Sequence, residues 1–186
     1  MISQDLLIRY RAKEITLSKN EVLFNEGGRS GYYFQIIIGE IKMFNLTEIG
    51  KEFVPGIFGG GKSFGEPPLL GDFKYPAGAS STKPSSLLKL PKKAFLSLLK
   101  ANPEVHLAFT GLLCKRLAYK AMIGKEVSIH PPEHRILTLL EYIKVQNNSK
   151  ALVITLTRQQ IAELTVCLWK PLYDLLRNLK LKKYLD

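Results

Sequence analysis

At Pro91 the hydrophobic pattern changes period, and few folds accommodate such a change. Before it, short apolar runs alternate with glycine: Glu21-Val22-Leu23-Phe24, Gly31 to Ile38, Ile41-Lys42-Met43-Phe44, Glu52-Phe53-Val54 and Leu87-Leu88-Lys89-Leu90. Strands this closely spaced, rich in aromatic and β-branched residues, predict an antiparallel roll or sandwich. A short amphipathic helix within residues 1–13, carrying Leu6, Leu7, Ile8 and Tyr10, precedes them. After Pro91 the apolar positions recur every three or four residues, the spacing of a helix face. Lys92 to Ala101 reads as one short helix. It stops at Asn102-Pro103, because the residue before a proline is pushed out of the α region. Pro103 suits the first turn of a longer helix running to about Lys125.

That long helix carries Val105, Phe109, Leu112, Leu113, Ala118, Tyr119, Met122 and Ile123 in a stripe wide enough for two partners. Lys115, Arg116 and Lys120 lie largely off it. A long helix beside a compact β domain reads as a homodimer seam, with Val105, Phe109, Leu112, Leu113, Tyr119 and Ile123 as its expected contacts. Packing on its own sheet alone is the competing reading. Ser128-Ile129-His130-Pro131-Pro132 is a hinge, since consecutive prolines cannot continue a helix. Glu133 to Lys144 follows as a helix with Ile136, Leu139, Leu140 and Ile143 on one face. Asn147-Asn148-Ser149 reads as a turn and Ala151 to Thr155 as a short strand. Thr157 and Gln160 then have the spacing of a capping box, which starts a helix-turn-helix. The expected divisions are 1–101, 102–128 and 129–186.

Composition narrows the function classes. The 186 residues are 46% hydrophobic, enough for one large or two modest domains. An apolar run of about 18 residues is missing, and Met1-Ile2-Ser3-Gln4-Asp5 does not resemble a secretory leader, so a cytoplasmic protein with no membrane partner is expected. The formal net charge of +11 falls mostly after residue 91, where it suits a polyanion such as DNA; a solvated lysine surface is the plainer explanation. Cys114 and Cys167, each within a helical pattern, read as buried reduced thiols. His106, His130 and His134 share no metal-ligand spacing with them, and no metal is expected. Gly59-Gly60-Gly61-Lys62-Ser63 lacks the leading glycine of a phosphate loop, and the sequence has neither a nucleophile–base pair nor H-E-x-x-H, so an enzyme is not expected.

Several pieces, in order, carry a family resemblance: Ile38-Gly39-Glu40-Ile41, Gly61 to Glu66, Ala77, Asn102-Pro103, Pro132-Glu133-His134-Arg135-Ile136-Leu137, and Leu156-Thr157-Arg158-Gln159-Gln160-Ile161-Ala162. Over nearly its whole length the chain resembles the Crp/Fnr family of transcription regulators, that of the catabolite activator protein and the fumarate-nitrate regulator. The resemblance implies an α+β protein. Its parts would be an N-terminal double-stranded β-helix (the jelly-roll-like cyclic-nucleotide-binding fold), a long dimerisation helix, and a C-terminal winged-helix-like helix-turn-helix. The wing would be truncated, because the sequence reaches only Tyr184-Leu185-Asp186.

The resemblance also implies an effector site at Gly65, Glu66, Tyr75, Ala77, Arg116 and Lys120. Phe64 to Ala77 would be the phosphate-binding cassette, with Gly65 admitting a ligand to the backbone, its amides cradling a phosphate, and Glu66 holding a ribose hydroxyl. Glu66, if buried, would need a partner such as Lys62 or Lys74. Cyclic-AMP binders of the family supply an Arg-Ser pair where this chain has Tyr75-Pro76, and a hydroxyl pair where it has Lys120-Ala121. The expectation is therefore a different small effector, or none, rather than cyclic AMP in the familiar geometry. Residues 1–30 contain no cysteine to hold an iron–sulfur cluster. Haem would rely on His106, whose bland reading is an ordinary surface or core histidine.

On the DNA side the implied contacts are Arg158, Gln159, Trp169, Lys170, Tyr173, Arg177 and Lys180. Trp169, Lys170 and Asp174 stand where the family reads bases with Arg, Glu and Arg. Thr165-Val166-Cys167 supplies no glycine for the turn, and Pro171 fits only a first helical turn. The leading expectation is a homodimeric regulator that binds DNA under control of an effector in the roll. Its rival is a sensor or scaffold dimer whose degenerate helix-turn-helix binds protein.

Overall fold

A computed structural model describes residues 1–47, 50, 52–146 and 161. Helix α1 (Gln4–Arg9) starts where the Ser3 hydroxyl accepts from the Leu6 amide at 3.3 Å, an ordinary side-chain cap. Strands β1 (Lys13–Leu17), β2 (Val22–Phe24), β3 (Tyr32–Leu46), β4 (Glu52–Gly59), β5 (Ser63–Phe64) and β6 (Gly78–Pro91) follow, with α2 (Glu66–Gly71) between the last two. Three helices complete the described chain: α3 (Lys92–Ala101), α4 (Pro103–Ile129) and α5 (Pro132–Gln146).

All named strand pairs are antiparallel, and the two long strands organise the sheet in the order β1-β6-β3-β4. Strand β2 adds to β6, and β5 to β3. Sequence patterning breaks β3 at Gly39, whereas the structure runs one strand through it. The cause is a local irregularity: the β3–β6 register shifts three times between Ile36 and Ile41. Gly39 sits there at φ 103°, and a Cβ on it would lie 2.2 Å from the Ser85 hydroxyl oxygen. A glycine is therefore required by the close approach of β6, and the strand bends without ending.

The long strands bury both faces, which is why their sequences are continuous apolar runs rather than alternations. Phe34, Ile36 and Leu87 point into a core inside the roll with Leu17, Ile41, Phe64 and Ala79. Tyr33, Leu88 and Leu90 point into a second core with Ile2, Leu7, Leu69, Phe95, Leu98, Leu99 and Phe109. Gln35 shares that second face and is buried. It is satisfied on both sides, accepting from the Tyr33 hydroxyl at 2.8 Å and donating to the Ile2 carbonyl at 2.9 Å.

Helix α4 joins this core through Phe109, whose ring meets Phe95 edge-on at 5.4 Å and Tyr33 at 6.1 Å. The Tyr33 and Phe95 rings are stacked at 4.5 Å. The chain divides into two compact units, Met1–Cys114 and Lys115–Asp186, with the division inside α4. In the second unit Ile136, Leu139 and Leu140 of α5 are buried as their spacing implies. Tyr119 of α4 packs against Tyr142 of α5 at 4.7 Å. Helix α4 carries apolar residues on more than one face, and four of the expected seam residues are engaged within the first unit. Phe109 is in its core, and Val105, Leu112 and Leu113 pack against that core. Cys114 is exposed, not buried as its helical pattern suggested, because it lies off this packed face.

Candidate effector site

Strand β5 delivers the chain to Gly65, which caps α2 in the left-handed region at φ 71°. Pro67 and Pro68 follow within the first turn, where missing amides cost no helical hydrogen bonds. Glu66, the first residue of α2, is only 1% exposed. Lys62 and Lys74, the cations suggested for it by sequence, are both exposed.

Beyond α2 the chain turns Tyr75 inward. Backbone bonds fix it: the Gly27 amide donates to the Tyr75 carbonyl at 2.8 Å, and the Tyr75 amide donates to the Gly28 carbonyl at 2.9 Å. The Tyr75 ring then lies flat on Phe24, with centroids 3.7 Å apart and planes 10° from parallel. Phe24 continues the stack to Phe64 and Phe34. Gly65 faces this stack so closely that a Cβ would meet Phe24 at 3.2 Å and Tyr75 at 3.3 Å. Burial pushes the Tyr75 phenol above its ordinary pKa; the nearby Ser30 hydroxyl opposes that, and the nearby Glu66 carboxylate adds to it. Ala77 is buried at the start of the turn into β6, and the Pro76 carbonyl accepts from the Asn45 side-chain amide at 2.6 Å.

Gly65, Glu66, Tyr75 and Ala77 are thus brought together within the first unit. From Gly65 to Ala77 the single cationic residue is Lys74, which is exposed, and position 76 has no amide to donate. A phosphodiester buried here would meet the Glu66 carboxylate and the Tyr75 phenol, where the segment itself supplies no arginine. The Phe24 partnership with Tyr75 escaped sequence reading; an aromatic residue replacing the usual cation was the available signal. Arg116, half-buried, and Lys120, exposed, belong to α4 in the second unit. Although much of the Lys120 side chain meets water, burial around its ammonium lowers its pKa.

A separate cavity of about 210 Å³ is lined by Met1, Ile2, Tyr33, Val105, Phe109 and Leu112, among others, and shares no lining residue with the Gly65–Ala77 segment. The expected DNA contacts Arg158, Gln159, Trp169, Lys170, Tyr173, Arg177 and Lys180, together with Cys167, lie outside the described residues. Within that part of the chain Ile161 is helical and buried. Among the described residues no helix is long and apolar enough to cross a membrane.

Residues 14–102 match the family model of the cyclic nucleotide-binding domain. The chain is 23% identical over 150 residues to the cAMP-activated global transcriptional regulator CRP of Haemophilus influenzae, covering 78% of this chain and 67% of that protein. It is 24% identical over 110 residues to the lysophospholipase NTE1 of Phaeosphaeria nodorum, covering 59% of this chain. It spans only 7% of that lysophospholipase, so the match is to one part of a much longer protein. Among solved structures, the c-di-GMP responsive global regulator CLP of Xanthomonas campestris superposes with a TM-score of 0.72 at 17% identity, over 95% of this chain and 92% of that one. Identity at that level speaks for a shared fold. Sequence match, strand order and the helix that follows the roll agree: residues 14–102 match the cyclic nucleotide-binding domain, in a chain with the antiparallel jelly-roll-like fold shared with these solved regulators.

Proposed function

We propose that this protein is an effector-controlled, homodimeric transcription regulator. The observation that carries the reading is the continuity of α4. Phe109 anchors the helix in the aromatic core of the sensor roll, and the same helix runs unbroken to Ile129, just before α5. A change in the roll's core therefore has a continuous helix on which to act, and the regulation proposed is a population shift. DNA binding is assigned to the basic segment 150–186, through Arg158, Gln159, Trp169, Lys170, Tyr173, Arg177 and Lys180. Arg158, Arg177 and Lys180 grip phosphates, and Trp169 and Asp174 alter what the recognition helix reads.

A second copy of the chain is the partner for α4. Leu107, Cys114 and Ala121 are seven residues apart, Leu117 follows Cys114 by three, and all four are exposed, Leu107 at 75% and Leu117 at 70%. This is the a/d spacing of a coiled-coil seam, with small residues that allow close approach. It is a different stripe from the one anchored in the roll, so the helix can serve both. The effector enters at the Gly65–Ala77 segment, where Tyr75-Pro76 in place of a cation and the Tyr75–Phe24 stack argue against cyclic AMP in the familiar geometry. Binding to labelled fragments of the host's own promoters, compared with random duplex at two salt concentrations, tests the reading. One promoter class bound at least roughly 1,000-fold above random duplex is expected. Equal affinity for both, or a stable complex with a cellular protein and none with DNA, overturns it.

A further inference from the structure

Glu126, His130 and His134 follow one another at intervals of four, the spacing that lines one face of a helix. Pro131 and Pro132 separate α4 from α5, yet they hardly disturb this alignment. The His130 amide donates to the Glu126 carbonyl at 3.0 Å at the end of α4, and the Arg135 amide to the Pro131 carbonyl at 3.3 Å at the start of α5, so the two helices close and open within a residue or two of each other. As a result one ligand atom from each of the three side chains lies within 4.8 Å of the other two. All three belong to the second compact unit.

The chemistry of the cluster is incomplete as it stands. Glu126 is 7% exposed, and a buried carboxylate needs compensation. Its Oε2 accepts from the Thr138 hydroxyl at 3.2 Å and lies 3.4 Å from His134 Nε2, a long contact for a hydrogen bond. The His130 and His134 rings sit 4.1 Å apart beside that carboxylate, so three donor groups face one small space. A divalent cation resolves this, because it neutralises the carboxylate and uses the lone pairs of two neutral imidazoles. Four donors about 2.0–2.1 Å from a tetrahedral zinc lie about 3.4 Å from one another. That is the separation already held between His134 and Glu126.

We propose that Glu126, His130 and His134 form a divalent transition-metal site of the zinc class at the junction of α4 and α5. Two imidazoles and one carboxylate suit zinc, nickel or copper better than calcium or magnesium, which take oxygen ligands. Three protein ligands leave a fourth position for water. The Thr138 hydroxyl holds the ligating carboxylate in place, as outer partners of metal sites do. A bound ion ties the last turn of α4 to the first turn of α5 across Pro131 and Pro132. The metal site itself does not depend on DNA binding by the chain.

The test uses the full chain, stripped with a chelator and titrated with zinc against a chromophoric competitor. One tight zinc per chain is expected. His130→Ala and His134→Ala should each weaken it by at least about tenfold, while His106→Ala and Cys114→Ser/Cys167→Ser leave it unchanged. His134 is exposed, so its variant reports on binding and not on folding. Zinc should also raise the melting temperature of the native chain but not of His130→Ala/His134→Ala. Absence of tight binding, equal binding by the double histidine variant, or binding lost only with the cysteines overturns the site.

Discussion

Gly65 is the residue whose replacement is most narrowly constrained. Its φ of 71° disfavours any side chain by about 1–2 kcal/mol, and a methyl group there presses on Phe24 and Tyr75. Gly65→Ala should therefore lose about 1–2 kcal/mol in urea denaturation, and an unchanged midpoint would show that the stack yields. The stack also makes the proposed effector site testable. Native protein should show no saturable heat with cyclic AMP in calorimetry, whereas Tyr75→Arg/Pro76→Ser supplies a cation and an amide donor and should gain measurable binding. Failure to gain it would mean that the Phe24 face is not the obstacle. Much of this was legible in the sequence: Gly65, Glu66, Tyr75 and Ala77 can be picked out from one motif. Where the Tyr75 ring goes is not legible, because a substitution reveals which charge is gone but not which hydrophobic partner takes its place. Glu126, His130 and His134 were hidden for a different reason. Pro131 and Pro132 signal a break, and only the folded structure reveals that the three side chains meet across it.

Among the elements, α4 packs one face on the roll's core, and the proposed dimer uses another. Leu112, packed against the roll's core, and Leu117, exposed, are five residues apart and have opposite expected phenotypes. Leu112→Glu should destabilise the folded chain by at least about 2 kcal/mol. Leu117→Glu should leave stability intact and weaken dimerisation by on the order of 100-fold in sedimentation equilibrium. Equal effects of the two would refute the division. The α4–α5 pair carries its own pH signature. Burial, with help from Tyr142, pushes the Tyr119 phenol up to about 12, above the usual value of 10.0. The folded state therefore keeps a proton that the unfolded chain gives up, so this contribution is complete below pH 10 and fades as pH rises toward 12. Denaturation at pH 9 and pH 11 should show a smaller loss for Tyr119→Phe than for the native chain; identical losses would remove Tyr119 as the cause. Element boundaries were legible where proline fixes them, as at Lys92–Ala101. They were not legible where tertiary pairing decides: β1 has only Ile15 and Leu17 to announce it, β5 is two residues long, and β3 continues through Gly39 because β6 holds both halves.

At the scale of the whole molecule, a cyclic nucleotide-binding roll is joined to α5 by one continuous helix and the short Pro131-Pro132 junction, and the basic carboxyl-terminal segment follows. This order of parts was readable from the change of hydrophobic period at Pro91 and from the motifs spread along the chain, since both depend on local sequence. The Tyr75–Phe24 stack depends on which side chains meet in space, and only the folded roll reveals it. The most direct test of the regulator reading is sedimentation velocity of a labelled promoter duplex with increasing amounts of the full chain. Two chains per duplex, with a scrambled duplex left free at the same concentration, is the predicted result. One chain per duplex, or equal loading of the scrambled sequence, would contradict it.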